Sequence, residues 1–116
     1  MPILLEEDAA RPLPPMYRVR QHFKQDHLED VEGAVRAQFA REEIRSRVKP
    51  GMKVALGVGS RGIRDLSRIV KCVVDELKQL GAEPFILGAM GSHGGGSVQG
   101  QLQVLHTYGI TDEAMG

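Results

Sequence analysis

Lys53-Val54-Ala55-Leu56-Gly57-Val58-Gly59-Ser60-Arg61-Gly62 is the stretch on which the fold turns. A short, nearly unbroken apolar run is the composition of a strand buried in a parallel sheet, and here it runs directly into a glycine-rich turn. Beyond the turn, Ile63, Leu66, Ile69, Val70, Val73, Val74, Leu77 and Leu80 recur in steps of threes, fours and ones. That spacing predicts one amphipathic helix with a broad buried stripe, with Arg64, Arg68, Lys71, Asp75 and Lys78 mostly opposite. Gly81 is a suitable residue for leaving a helix, and Glu83-Pro84-Phe85-Ile86-Leu87 reads as a second strand. Residues 53–87 therefore predict a βαβ unit with parallel strands and the usual right-handed crossover. The fold class is α/β, Rossmann-like.

On the C-terminal side, Gly88-Ala89-Met90-Gly91-Ser92-His93-Gly94-Gly95-Gly96 offers backbone freedom and no core-forming side chain, so packing does not explain it. Ser97 is a candidate N-cap for a helix with Val98, Leu102 and Leu105 inward and Gly109 as its stop. Residues 110–116 begin a further element. Two strands with their helices do not close a doubly wound sheet, so an incomplete sheet is expected, as in a fragment or a domain that completes itself against a partner.

On the N-terminal side, Asp26 and Glu29 have capping-box spacing and predict a helix from about His27, with Leu28, Val31, Val35 and Phe39 on one face. Lys49-Pro50-Gly51 ends it. Tyr17, Val19 and Phe23 alternate weakly, as in a short edge strand. Pro2, Pro12, Pro14 and Pro15 surround Glu6, Glu7 and Asp8, so residues 1–25 read as an extended, mobile lead-in and residues 26–116 as the folded domain.

Composition narrows the function classes. Fifteen basic and fifteen acidic residues cancel, which argues against a nucleic-acid surface. With 4% aromatics and no Trp, the core must rest on Val, Ile and Leu. Cys72 is the single cysteine, so there is no internal disulfide and no cysteine-built zinc site. No apolar run approaches the ~20 residues of a membrane span, and the acidic N-terminus is unlike a signal peptide. A soluble, cytoplasmic protein is expected, with no membrane or nucleic-acid partner.

In parallel sheets, ligands bind beyond the carboxyl ends of the strands. The loops 57–62 and 88–96 share that edge, which predicts one crevice holding Ser60, Arg61, Ser92 and His93. Gly57-Val58-Gly59-Ser60-Arg61-Gly62 also matches G-x-G-x-x-G. A dinucleotide site would need an acid at the end of the second strand, and Glu83 lies at its other end. The turn still suits an anion at a helix N-terminus. Arg61 in a first helical turn would oppose the macrodipole by about 0.3–1 kcal/mol, a penalty that a carboxylate or phosphate would reverse. His93 reads as a general base, a metal ligand or a loop histidine bonded to backbone. His22, His27 and His106 have no ligand spacing to it, so no metal ligand set is expected in this chain. Cys72 reads as a packing residue, and Gln99 and Gln101 as within reach of the crevice.

Gly59-Ser60-Arg61-Gly62-Ile63, Pro84-Phe85-Ile86, Met90 through Gly95, Gly100-Gln101 and Tyr108-Gly109-Ile110-Thr111 together carry a likeness. Over residues 50–116 the chain resembles the N-terminal region of the nickel-pincer-nucleotide-dependent lactate racemase family (LarA-like proteins). The resemblance implies a two-domain α/β protein, an isomerase that racemises or epimerises a 2-hydroxy acid by hydride transfer to and from a nickel pincer nucleotide. It implies His93 as one of two catalytic histidines, Arg61 and Ser60 as substrate-binding, and Gly59, Gly62, Ser92, Gly94 and Gly95 as cofactor-binding. Val58 stands where the family often has an acid, three positions before the arginine. The second histidine, the cofactor lysine and the nickel-ligating histidine belong to a later part of the family sequence. The chain alone is thus expected to be inactive, with a C-terminal domain and a small 2-hydroxy acid as partners, and a homo-oligomer as a further possibility. The alternative reading is a non-enzymatic nucleotide- or anion-binding α/β module; an NAD-dependent fragment is disfavoured by the missing acid.

Overall fold

The computed structural model describes residues 12, 14–24 and 27–116. Its centre is the predicted βαβ unit. Strands β1 (Lys53–Val58) and β2 (Glu83–Gly88) pair in parallel, from Lys53 opposite Glu83 to Val58 opposite Gly88. The ladder continues past both ends, through Glu83 N–H to Met52 O and Ala89 N–H to Val58 O, each at 2.8 Å.

Four helices pack around or beside this sheet. Helix α1 is Val31–Phe39, α2 is Glu42–Arg45, α3 is Leu66–Gln79 and α4 is Val98–Thr107; a last turn, α5, is Asp112–Met115. In α3, Leu66, Val70, Val74 and Leu77 are buried at helical spacing, each such side chain contributing roughly 1.5–3 kcal/mol. Leu66, Val70 and Val74 meet Val58, Met90, Leu105, Ile110 and Met115 in one core, with Leu56, Ile86, Val104 and Tyr108 packed against it. Cys72 is buried too, with its Sγ 3.7 Å from Glu32 O of α1, so it is the packing residue expected.

Several expectations are corrected. The two strands are covered on one face only among the described residues. Val54, Leu56 and Val58 alternate with the exposed Lys53, Ala55 and Gly57, and β2 repeats the pattern. The apolar run thus reflects one buried face plus small residues and an exposed Phe85 and Leu87 on the other. Helix α3 begins at Leu66 and not at Ile63, which is 54% exposed. Positive φ at Gly62 (36°) and Asp65 (59°) keeps the chain out of helical geometry until then.

Helix α1 starts at Val31 with Asp30 as N-cap, its carboxylate accepting from Gly33 N–H at 2.8 Å. The expected cap Asp26 lies outside the described residues, and Leu28 is exposed. No strand forms over 16–24, where Tyr17, Val19 and Phe23 are exposed and find no partner strand among the described residues. In α4, Ser97 caps as expected, accepting from Gly100 N–H at 3.1 Å. Val98 (74% exposed) and Leu102 point outward, however, while Leu105 is 2% exposed. The helix is turned so that Gly100, Gln101, Val104, Leu105 and Tyr108 face inward.

That rotation has a steric cause. A Cβ on Gly100 would stand 1.7 Å from Gly94 O, and one on Gly94 would stand 2.3 Å from Gly100 C. Backbone meets backbone here, and only glycine on both sides permits it.

Among the described residues, no helix is long and apolar enough to cross a membrane.

Candidate functional site

Both glycine loops leave the same edge of the sheet because β1 and β2 are parallel and in register. Between them lies a crevice of about 460 Å³ lined by Gly59, Ser60, Arg61, Ile63, Ala89, Met90, Gly91 and His93. The predicted meeting of Ser60, Arg61 and His93 is therefore present. Gly62, Ser92, Gly94 and Gly95 do not line it. Gly94 serves the contact with α4, and Ser92 is an exposed residue at the start of the short 3₁₀ turn His93–Gly96.

The central contact joins the two loops: Ser60 Oγ hydrogen-bonds His93 Nδ1. A neutral imidazole has one donor and one acceptor nitrogen, and a hydroxyl can both donate and accept. Ser60 can therefore partner either tautomer. When its O–H donates to Nδ1, Nε2 carries the proton; when Nδ1–H donates to Oγ, Nε2 is a free base. A histidine that must take a proton and later return it is served by such a neighbour.

Arg61 is exposed and forms no hydrogen bond or ion pair among the described residues. Its neighbour in sequence, Arg64, lies near Asp65 (3.7 Å), and Arg68 takes both Asp65 (3.5 Å) and Glu32 (3.1 Å). Arg61 thus brings an uncommitted guanidinium to the crevice. It does not stand in the first turn of a helix, since α3 begins at Leu66, so the expected conflict with the macrodipole is absent. Asp65 stands at the N-cap of that helix without a side-chain capping bond, its carboxylate beside Arg64 and Arg68.

Two residues that hold the loops come from α4 and its C-cap. Tyr108 Oη donates to Ser60 O at 2.8 Å, and Gln101 Nε2 donates to Gly91 O at 2.8 Å. Gln101 was expected within reach of the crevice; it instead braces a loop from behind, and Gln99 is simply exposed. The role of Tyr108 escaped the pattern reading, although a tyrosine at the end of a helix, with an apolar body and a polar tip, is a known kind of signal. Met90 also corrects the expectation for its loop. It is buried in the core and anchors a segment that otherwise has only small or polar residues.

Among the described residues no group of three or more His, Cys, Asp or Glu is placed to hold a metal ion. His93 bonds the Ser60 hydroxyl and belongs to no such group, so the described residues do not by themselves fit a nickel centre. Comparison with models of known protein families, with curated proteins and with solved structures finds no match to this chain.

Proposed function

We propose that the crevice binds a small 2-hydroxy acid, as the substrate-binding half of a lactate racemase-like isomerase built on a Rossmann-like layer. The observation that carries this reading is the Ser60–His93 hydrogen bond beside an unpaired Arg61 in one crevice. In this reading the guanidinium takes the carboxylate, a charge-assisted contact of the strong kind. His93 Nε2 takes the proton of the 2-hydroxyl and gives it back, while Ser60 adjusts to each tautomer. The gain or loss of hydride at the α-carbon falls to groups outside this chain, in a C-terminal domain of the type the resemblance implies.

The test is a titration of the ¹⁵N-labelled chain with lactate and with propionate, which lacks the hydroxyl. Lactate is expected to bind about tenfold more tightly, the worth of one hydrogen bond to a polar partner, with the His93 ring signals moving most. Arg61→Ala should weaken lactate by tenfold or more. Equal binding of both acids, or binding unchanged in the Arg61 variant, sinks the reading. A nucleotide- or anion-binding module would show preference for a mononucleotide in the same titration; the helix N-terminus that favoured it carries Asp65.

A further inference from the structure

We propose that the ligand of the crevice carries a branched apolar chain beside its acid group, and that Ile63 is the residue that selects it. The inference rests on the reading above for the carboxylate held at Arg61. The walls of the crevice divide by chemistry. Ser60, Arg61 and His93 bring polar groups to it, whereas Ile63, Ala89 and Met90 bring apolar ones. A ligand that satisfies both walls has a polar head and an apolar body, the usual division of a small-molecule site.

Ile63 owes its place to the backbone. It has the spacing of the α3 stripe, three residues before Leu66 and seven before Val70, and would extend that stripe if the helix began with it. The left-handed backbone at Gly62 and at Asp65, the one non-glycine residue with positive φ among the described residues, delays the helix to Leu66. Such conformations are uncommon outside glycine and collect where a loop is held in shape for a ligand. An isoleucine with core spacing thus stands 54% exposed in the wall of a crevice. Two residues separate it from Arg61 on the same loop, at most about 7 Å between Cα atoms. A carboxylate on Arg61 therefore leaves a chain of four or five carbons within reach of Ile63. Met90 is anchored in the core, and its flexible thioether chain adapts the remaining apolar wall to the ligand's shape.

Size points the same way. Lactate has six non-hydrogen atoms; at no more than about 30 Å³ each, the share of a liquid water, they fill less than half of the 460 Å³ crevice. With its carboxylate and hydroxyl on the polar wall, lactate leaves the apolar wall facing water. A branched chain in place of the methyl covers that wall.

Titration of the full chain, ¹³C-labelled at the isoleucine methyls, tests this with two pairs of acids: lactate and 2-hydroxy-4-methylpentanoate, and their deoxy counterparts propionate and 4-methylpentanoate. A fully buried methylene is worth roughly fourfold in affinity, so three added carbons half covered by an open crevice should give about tenfold. The Ile63 methyl signals should move with both long acids. Ile63→Ala should reduce the long-to-short ratio to about threefold, and Ile63→Leu should restore it. Ile63 is exposed, so both variants keep the fold, which circular dichroism on the same samples verifies. A chain gain in both pairs supports the apolar subsite even where the hydroxyl adds nothing, the result that sinks the hydroxy-acid reading of the crevice. A hydroxyl preference with less than about twofold gain from the chain overturns the inference and leaves that reading standing. A chain gain that Ile63→Ala leaves intact also overturns it, and binding of none of the four acids overturns both.

Discussion

The two loops of the crevice are built on opposite principles. The first, Gly59 to Asp65, is held to the rest of the fold at few points: Tyr108 Oη on Ser60 O, and the Ser60–His93 bond. The second, Ala89 to Gly96, is held by the buried Met90, by Gln101 on Gly91 O and by the Gly94–Gly100 backbone contact. One loop is tethered and the other is packed. The charged group, Arg61, is on the tethered loop, where it is free to move onto a ligand. The titratable group, His93, is on the packed one, where its position is defined. A site that must hold a proton-transfer group steady while gripping a small anion gains from this division.

The comparison breaks most sharply at Gly100→Ala. The added methyl would meet the Gly94 backbone and, at 2.9 Å, Ser97 Oγ, so the loop must shift, at a cost of about 3 kcal/mol for overpacking or roughly 12 °C in Tm for a domain of this size. Calorimetry reads that loss, and the His93 signals should move with it. An unchanged Tm would show that the second loop is no more packed than the first.

Tyr108→Phe and Gln101→Ala ask the same question with smaller effects. Tyr108→Phe leaves a half-buried carbonyl on Ser60 without its donor, at about 1 kcal/mol. Its distinguishing effect is on the Ser60–His93 bond, seen as a changed His93 tautomer ratio in ¹⁵N spectra. Gln101→Ala exposes Gly91 O to water, which replaces the donor, so the cost stays below about 0.5 kcal/mol and the His93 tautomers hold. The reverse ranking would place the main tether on the other loop.

Cys72 sharpens the comparison from outside it. Burial raises its thiol above the ordinary value, with the nearby Arg36 opposing more weakly. The folded-state pKa therefore exceeds the unfolded one, about 8.5. Its contribution is fully present below the unfolded value and is lost as pH rises through the folded value. Stability should fall modestly above about pH 8.5, and Cys72→Ala should flatten that decline. Because Cys72 lies between α1 and α3, neither loop's signals should change in the same pH window.

Much of this was legible in the residues. The stripe Leu66, Val70, Val74, Leu77 appears as period alone, and the glycine loops at the strand ends bring Ser60, Arg61 and His93 together as expected, while Ser92, expected with them, stays outside the crevice. Legibility failed where two readings of the same residues compete. Val98 and Leu102 have helical spacing with Leu105, yet a closer approach of Gly94 and Gly100 turns them to solvent. Val54 to Val58 reads as buried on both faces because small residues and strand residues look alike in composition. Met90 hid among glycines although it is a core residue.

The amino-acid sequence by itself determined the parallel pairing, the amphipathic helix between the strands, and which end of the sheet carries Ser60, Arg61 and His93. These follow from local periodicity and from the geometry of a βαβ crossover. Tertiary structure alone decided the rotation of α4, the late start of α3, the tethers from Tyr108 and Gln101, and the Ser60–His93 bond. Each of these depends on contacts between segments far apart in the chain, where sterics and hydrogen-bond geometry, not local pattern, select among conformations the sequence leaves open.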